Sequence, residues 1–148
     1  MLTRAGLLRA VDTARIKDAI AAAERQTSGE VRVSVATFFW GDVRKAAERA
    51  FARLGMTATR ERNAILFFVV PSRRRFVVLG DAGIHAKVGP DFWTSVARAV
   101  GDHFRKGHYT DGLVHGIETV GRELAAHFPF DAATDKNELA DDVDMEGR

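Results

Sequence analysis

Residues 62–89 read RNAILFFVVPSRRRFVVLGDAGIHAKVG, and the fold is decided by this stretch. It holds two apolar runs, residues 64–70 and 76–79, rich in Val, Ile, Leu and Phe. Pro71, Ser72, Arg73 and Arg74 lie between them. Proline presets φ for the second position of a turn, so residues 70–73 are predicted to form a type I turn. Short, almost unbroken apolar runs suit strands covered on both faces. The stretch therefore predicts a β-hairpin at the centre of a sheet, with helices above and below.

Upstream, residues 30–37 read EVRVSVAT. Val31, Val33 and Val35 face one way and Arg32, Ser34 and Ala36 the other, which is a strand. Between this strand and the hairpin, Asp42 is placed to cap a helix carrying Val43, Ala46, Ala47 and Ala50, stopped by Gly55. A strand, a helix and a strand in that order predict a parallel pair with a right-handed crossover. An earlier helix starts at Asp12 or Thr13 and is expected to end near Thr27 and Ser28, with Gly29 as its left-handed stop. Past the hairpin, residues 80–90 are glycine-rich and are expected to hold one short turn at 84–87. Pro90 opens a helix bearing Phe92, Trp93, Val96, Val100 and Phe104. Thr110 or Asp111 is expected to cap the last helix, where Leu113, Ile117, Val120, Leu124 and Phe128 form a stripe.

The order α-β-α-β-β-α-α predicts an α/β fold, a three-layer α/β/α sandwich built on a mixed β-sheet. Residues 1–11 read as a lead-in, 12–130 as the domain and 131–148 as an acidic disordered tail. That tail has seven acids against two bases, a net of −5, which leaves +7 on the body of a chain whose total is +2. Body charges alternate in sign along the helices, so a solvated surface is expected, not a nucleic-acid face. The 148 residues are 46% hydrophobic, enough for one domain with its own core. There is no cysteine, which excludes disulfides, thiol nucleophiles and thiolate zinc sites. No apolar run reaches the length of a signal peptide or a membrane span, and the expectation is a cytoplasmic chain, with peripheral association with a membrane left open.

Topology places chemistry that spacing alone does not. With the first two strands parallel and the third antiparallel, one sheet edge gathers Ser28, Gly29, Glu30, Arg62, Asn63 and Asp81, with Gly83 and His85 just beyond. Glu30 and Asp81 are candidate ligands for a hard cation, Ca²⁺ or Mg²⁺, and Arg62, Asn63, Gly83 and His85 are candidate pocket residues. The structural alternative pairs Arg62 with Glu30 or Asp81 as a salt bridge. At the opposite edge, Phe38, Phe39 and Trp40 form an aromatic corner, read either as core under a strand end or as a partner surface. Arg73, Arg74 and Arg75 lie at that same edge as a basic turn. The histidines form no HExxH pair, and His108 and His115 share at most a helix face. No P-loop, GxGxxG fingerprint or GxSxG elbow is present, so nucleotide and serine-hydrolase chemistries have no support, and neither haem nor zinc is expected.

The ordered set TSGEVRVSV (27–35), AFARLGM (50–56), RNAILFFVV (62–70), FVVLGDAGIHAKVG (76–89) and residues 91–124 resembles the TPM domain family. Among its members the chain is most similar to the short stand-alone bacterial type. The resemblance implies an α/β/α sandwich. It also implies an unsettled activity: plant members are linked with photosystem II repair and an acid phosphatase activity, and a divalent cation is associated with the fold. An animal member serves as an auxiliary subunit of a membrane receptor. The positions matching the family's acidic and loop region are Glu30, Asn63, Asp81 and Gly83. Phosphoryl transfer needs charge neutralisation and an in-line nucleophile, and the sequence offers candidates only for the first. The reading is therefore a non-enzymatic accessory module that holds a protein partner by the sheet edge and the Phe38 to Trp40 corner. The alternative is a divalent-metal-dependent phosphatase, with Glu30 and Asp81 as metal ligands and Arg62 holding phosphate.

Overall fold

The structure, a computed structural model, describes residues 11–37, 40–132 and 143–146. Its elements are α1 (Thr13–Glu24), β1 (Glu30–Ala36), α2 (Val43–Arg53), β2 (Ala64–Val70), β3 (Arg75–Gly80), α3 (Ala82–Val88), α4 (Pro90–Arg105), α5 (Tyr109–His127) and β4 (Asp144–Glu146). The sheet order is β3-β2-β1-β4. β1 is parallel to β2 and to β4, and β2 is antiparallel to β3. The expected α/β/α sandwich is present.

The period of two sorts the side chains onto two faces. Val31, Val33, Val35, Ile65, Phe67 and Val69 point into a core closed by α1, α4 and α5. Leu66, Phe68 and Val70 point the other way, against Val43, Ala46, Ala47 and Ala50 of α2. All seven β2 residues are buried, as an unbroken apolar run between two helical layers requires. β3 is only partly covered, because it forms an edge of the sheet. The hairpin is therefore not central: β2 occupies the centre and β3 the rim. Its turn is a short 3₁₀ segment, Pro71–Arg73, followed by Arg74 at φ 50°.

Four local expectations are corrected. α1 stops at Glu24, and Gly29 is no left-handed stop; a Cβ there would strike the Leu124 side chain. α5 begins after His108 with no side-chain cap, and the Thr110 hydroxyl instead accepts from the Asp12 N–H at 2.9 Å. The short turn at 84–87 is a seven-residue helix, α3, because Asp81 supplies a carboxylate to its first N–H. Lastly, the acidic tail contributes β4, which pairs with residues 34–36 of β1.

β4 is anchored through one carboxylate. Ser34 Oγ donates to Asp144 Oδ2 at 2.7 Å, and Arg53 Nη2 donates to the same oxygen at 2.7 Å. Burial pushes the Asp144 carboxyl up, but the hydrogen bonds from Arg53 and Ser34 and the charges of Arg53 and Arg32 outweigh it, so its pKa lies below the ordinary value. A depressed carboxylate stabilises fully above its unfolded value of about 3.9 and loses that effect as pH falls through the folded value. Hydrogen-exchange protection at residues 34–36 is expected to be flat from about pH 5 to 8 and to fall only below about pH 4.

Candidate functional site

The strand register brings the predicted edge together. Glu30 lies opposite Ala64, and the Asp81 N–H donates to the Ala64 carbonyl at 2.9 Å. Glu30, Ala64 and Asp81 thus form one row across three strands, on the α2 face. Two strand spacings separate the outer members by about 10 Å. Both acids are buried, Glu30 at 2% and Asp81 at 7% exposure.

Asp81 is engaged on both oxygens. Arg62 Nε donates to Oδ2 at 2.6 Å and Nη2 to Oδ1 at 2.9 Å, a bidentate charge-assisted pair. The Ala82 N–H also donates to Oδ1 at 2.8 Å. The bonds from Arg62 to Asp81, and then the carboxylate's charge, raise the guanidinium above its ordinary pKa. Arg62 itself sits at φ 54°, a left-handed conformation unusual for a bulky residue, and its side chain remains half exposed. Of the alternatives read from the sequence, the salt bridge to Asp81 is the one formed.

Asn63 is 1% exposed. Its Nδ2 donates to Ser28 Oγ at 3.2 Å and approaches Glu61 Oε2 at 3.4 Å, while Ser28 Oγ donates to Glu61 Oε2 at 2.9 Å. Asn63 Oδ1 is buried without a hydrogen-bond partner. Gly83 donates its N–H to the Arg62 carbonyl at 2.7 Å, and a Cβ on it would collide with the Glu61 and Arg62 carbonyl oxygens. His85 donates its N–H to the Asp81 carbonyl at 3.0 Å, and its ring Nδ1 accepts from the Trp93 indole N–H at 3.1 Å.

Sequence reasoning missed Glu61, Arg44 and Trp93. A shallow groove beside Asp81 is lined by Arg44, Glu48, Phe51, Leu79 and Gly80. It adjoins a second one that adds His85, Pro90 and Trp93. Gly80 is the signal for Trp93, since a Cβ there would strike the indole ring. Glu61 had a signal too, its adjacency to Arg62.

Glu30 and Asp81 do not by themselves make a carboxylate cage for Ca²⁺ or Mg²⁺. Both Asp81 oxygens are committed, and among the described residues no three His, Cys, Asp or Glu side chains gather to hold a metal. A cation seated through Asp81 would compete with the Arg62 guanidinium for the same carboxylate.

At the opposite edge, Trp40 is 88% exposed, so the reading as core under a strand end does not hold for it. Phe38 and Phe39 lie outside the described residues. Arg73 Nη1 donates to the Gly41 carbonyl at 2.6 Å, which sets the basic turn beside Trp40. Elsewhere, the His115 ring packs with His103, at a centroid distance of 5.7 Å. Among the described residues no helix is long and apolar enough to cross a membrane.

An α/β/α domain with a salt-bridged corner at one sheet edge is the class these features define. A family model of the TPM domain matches residues 1–123, and the chain belongs to the TPM domain family. It is similar to the BA42 protein from the psychrophilic bacterium Bizionia argentinensis, at 36% identity over 91% of this chain and 94% of that one, with a TM-score of 0.84. The N-terminal domain of the cg2496 protein from Corynebacterium glutamicum shares the fold at 17% identity, over 75% of this chain and 67% of that one, with a TM-score of 0.53. No curated protein matches the chain.

Proposed function

We propose that this TPM domain is a non-enzymatic interaction module that holds a protein partner at the Trp40 corner. The observation that carries the reading is Trp40 itself, 88% exposed and next in the chain to Gly41, whose carbonyl accepts from Arg73. Tryptophan and arginine dominate interface hot spots, because a large rigid surface and a forked donor gain most when desolvated. The Asp81 corner supports the same reading, since its carboxylate is spent on holding Arg62 and the start of α3. A partner at a membrane surface is compatible with this.

Paired affinity capture with wild-type and Trp40→Ala protein tests it. A genuine partner is recovered at least about tenfold less well with Trp40→Ala, the scale of a hot-spot residue. The melting temperature should move by no more than about 2 °C, because the side chain is exposed. A partner recovered equally by both proteins overturns the assignment of the surface.

A second reading is a divalent-cation-dependent hydrolase of phosphate esters, of acid-phosphatase type. It is favoured by Asn63 Oδ1, a buried oxygen without a hydrogen-bond partner, and by the half-exposed Arg62 guanidinium that can meet a phosphate. Phosphoryl transfer also needs a positioned nucleophile, and the hydroxyl at this corner is Ser28 Oγ, which donates to Glu61 Oε2 at 2.9 Å.

A further inference from the structure

The outer edge of β1 has an occupant that the module reading leaves unexplained. β4 covers only residues 34–36 of a seven-residue strand. Upstream on the same edge, the Val31 N–H donates to the Glu24 carboxylate at 2.8 Å, so a side chain stands where a strand's carbonyl would. The β4 contact is acid-specific: Ser34 Oγ and the two Arg53 nitrogens, at 2.7 and 3.4 Å, all converge on Asp144. Ser34 is fully buried. Arg32, two residues before it on the same face, has its Nε buried without a hydrogen-bond partner. An edge strand flanked by two arginines and a buried hydroxyl is complementary to an extended acidic segment.

We propose that the outer edge of β1 is a strand-acceptor site for an extended partner peptide bearing a carboxylate where Asp144 stands, and that the chain's own residues 144–146 occupy it in cis. Continuing the parallel register puts residue −2 of such a peptide opposite Arg32. An acid-x-acid peptide therefore meets both arginines, and this chain carries that spacing at Asp142 and Asp144. The linker is long enough for cis seating. The Phe130 N–H donates to the Gln26 carbonyl, so the chain leaves the domain beside the start of β1. From there, 14 residues reach at most about 46 Å, and the path along the strand to residue 34 is at most about 26 Å. A tether of this length holds the segment at roughly millimolar effective concentration, so a micromolar peptide is kept out until the segment leaves. The inference extends the module reading to a second surface, and its test reads the β1 edge alone, so its failure leaves the Trp40 corner standing.

The probe is a fluorescent peptide with the sequence of residues 138–148, titrated by anisotropy into full-length wild-type protein and full-length Asp144→Lys. Lysine facing Arg53 releases the cis segment, so Asp144→Lys is expected to bind the peptide at least about tenfold more tightly than wild type. An Asn in place of Asp144 in the peptide is expected to lose that gain. A check without any variant is the NMR spectrum of wild-type protein with millimolar peptide, where shifts are expected at residues 31–36. Equal or absent binding to both proteins, or shifts confined elsewhere, overturns the proposal. Dimerisation of wild type by light scattering, with peptide competing for the dimer contact, overturns it too, by making the occupant a second copy.

Discussion

Gly83→Ala is expected to destabilise the domain by about 3 kcal/mol, a large overpacking penalty for one methyl group. The added Cβ would meet the carbonyl oxygens of Glu61 and Arg62, which are backbone atoms and not the yielding end of a side chain. That backbone has little room to retreat. Arg62 is held in a left-handed conformation, the Asn63 N–H donates to Thr59 Oγ1 at 3.2 Å, and the Asp81 N–H is tied to Ala64. The same substitution strains the Gly83 N–H bond to the Arg62 carbonyl. For a chain of this size the melting temperature should fall by about 6–12 °C. Gly80→Ala is the matched control: its Cβ strikes the Trp93 indole, which can rotate at the cost of its bond to His85. A smaller loss for Gly80→Ala than for Gly83→Ala is expected. The reverse order would show that the Arg62 backbone yields more readily than the indole.

Phe67→Ala is expected to cost about 4 kcal/mol, within the range for a fully buried aromatic. Phe67 is the central residue of β2 that faces α4 and α5, and it is completely buried. Its ring lies against Gly116 of α5, where a Cβ would meet both Phe67 and Val100. The absence of a side chain at 116 is therefore what seats the ring. In urea, the midpoint should fall with an unchanged slope, the mark of lost stability without a change in the surface exposed. Phe67→Leu combined with Gly116→Ala should lose less than the sum of the two single changes, since the added methyl partly fills the space the smaller side chain leaves. Additive losses would separate the two residues.

The fold was legible because hydrophobic period carries it. The alternation in residues 30–36 and the apolar run of residues 64–70 define strands, and the stripe from Leu113 to Leu124 defines a helix. The gathering of Glu30, Arg62, Asn63 and Asp81 at one edge followed from topology, because parallel and antiparallel pairing dictate which strand ends meet. Which acid Arg62 would take was not legible, since that depends on its positive φ and on a side chain crossing the sheet edge. The start of α5 is not legible locally, because Thr110 serves a distant N–H, that of Asp12, and no local pattern reports a contact 98 residues away. β4 was hidden for a similar reason. Three residues of an acidic segment have no strand signature, and what recruits them is the arginine and serine surface that α2 and β1 build together.

The proposed reading is that Asp81 holds the corner of the sheet and takes no part in chemistry there. Its most direct test is hydrolysis of p-nitrophenyl phosphate by wild-type and Asp81→Asn protein in millimolar Mg²⁺ or Ca²⁺, with a melt of each protein alongside. The account predicts that both proteins match the protein-free blank and that Asp81→Asn melts at a lower temperature, because Arg62 loses its charged partner. Turnover by wild type that disappears in a fully folded Asp81→Asn protein would contradict it, and would make the corner an active site.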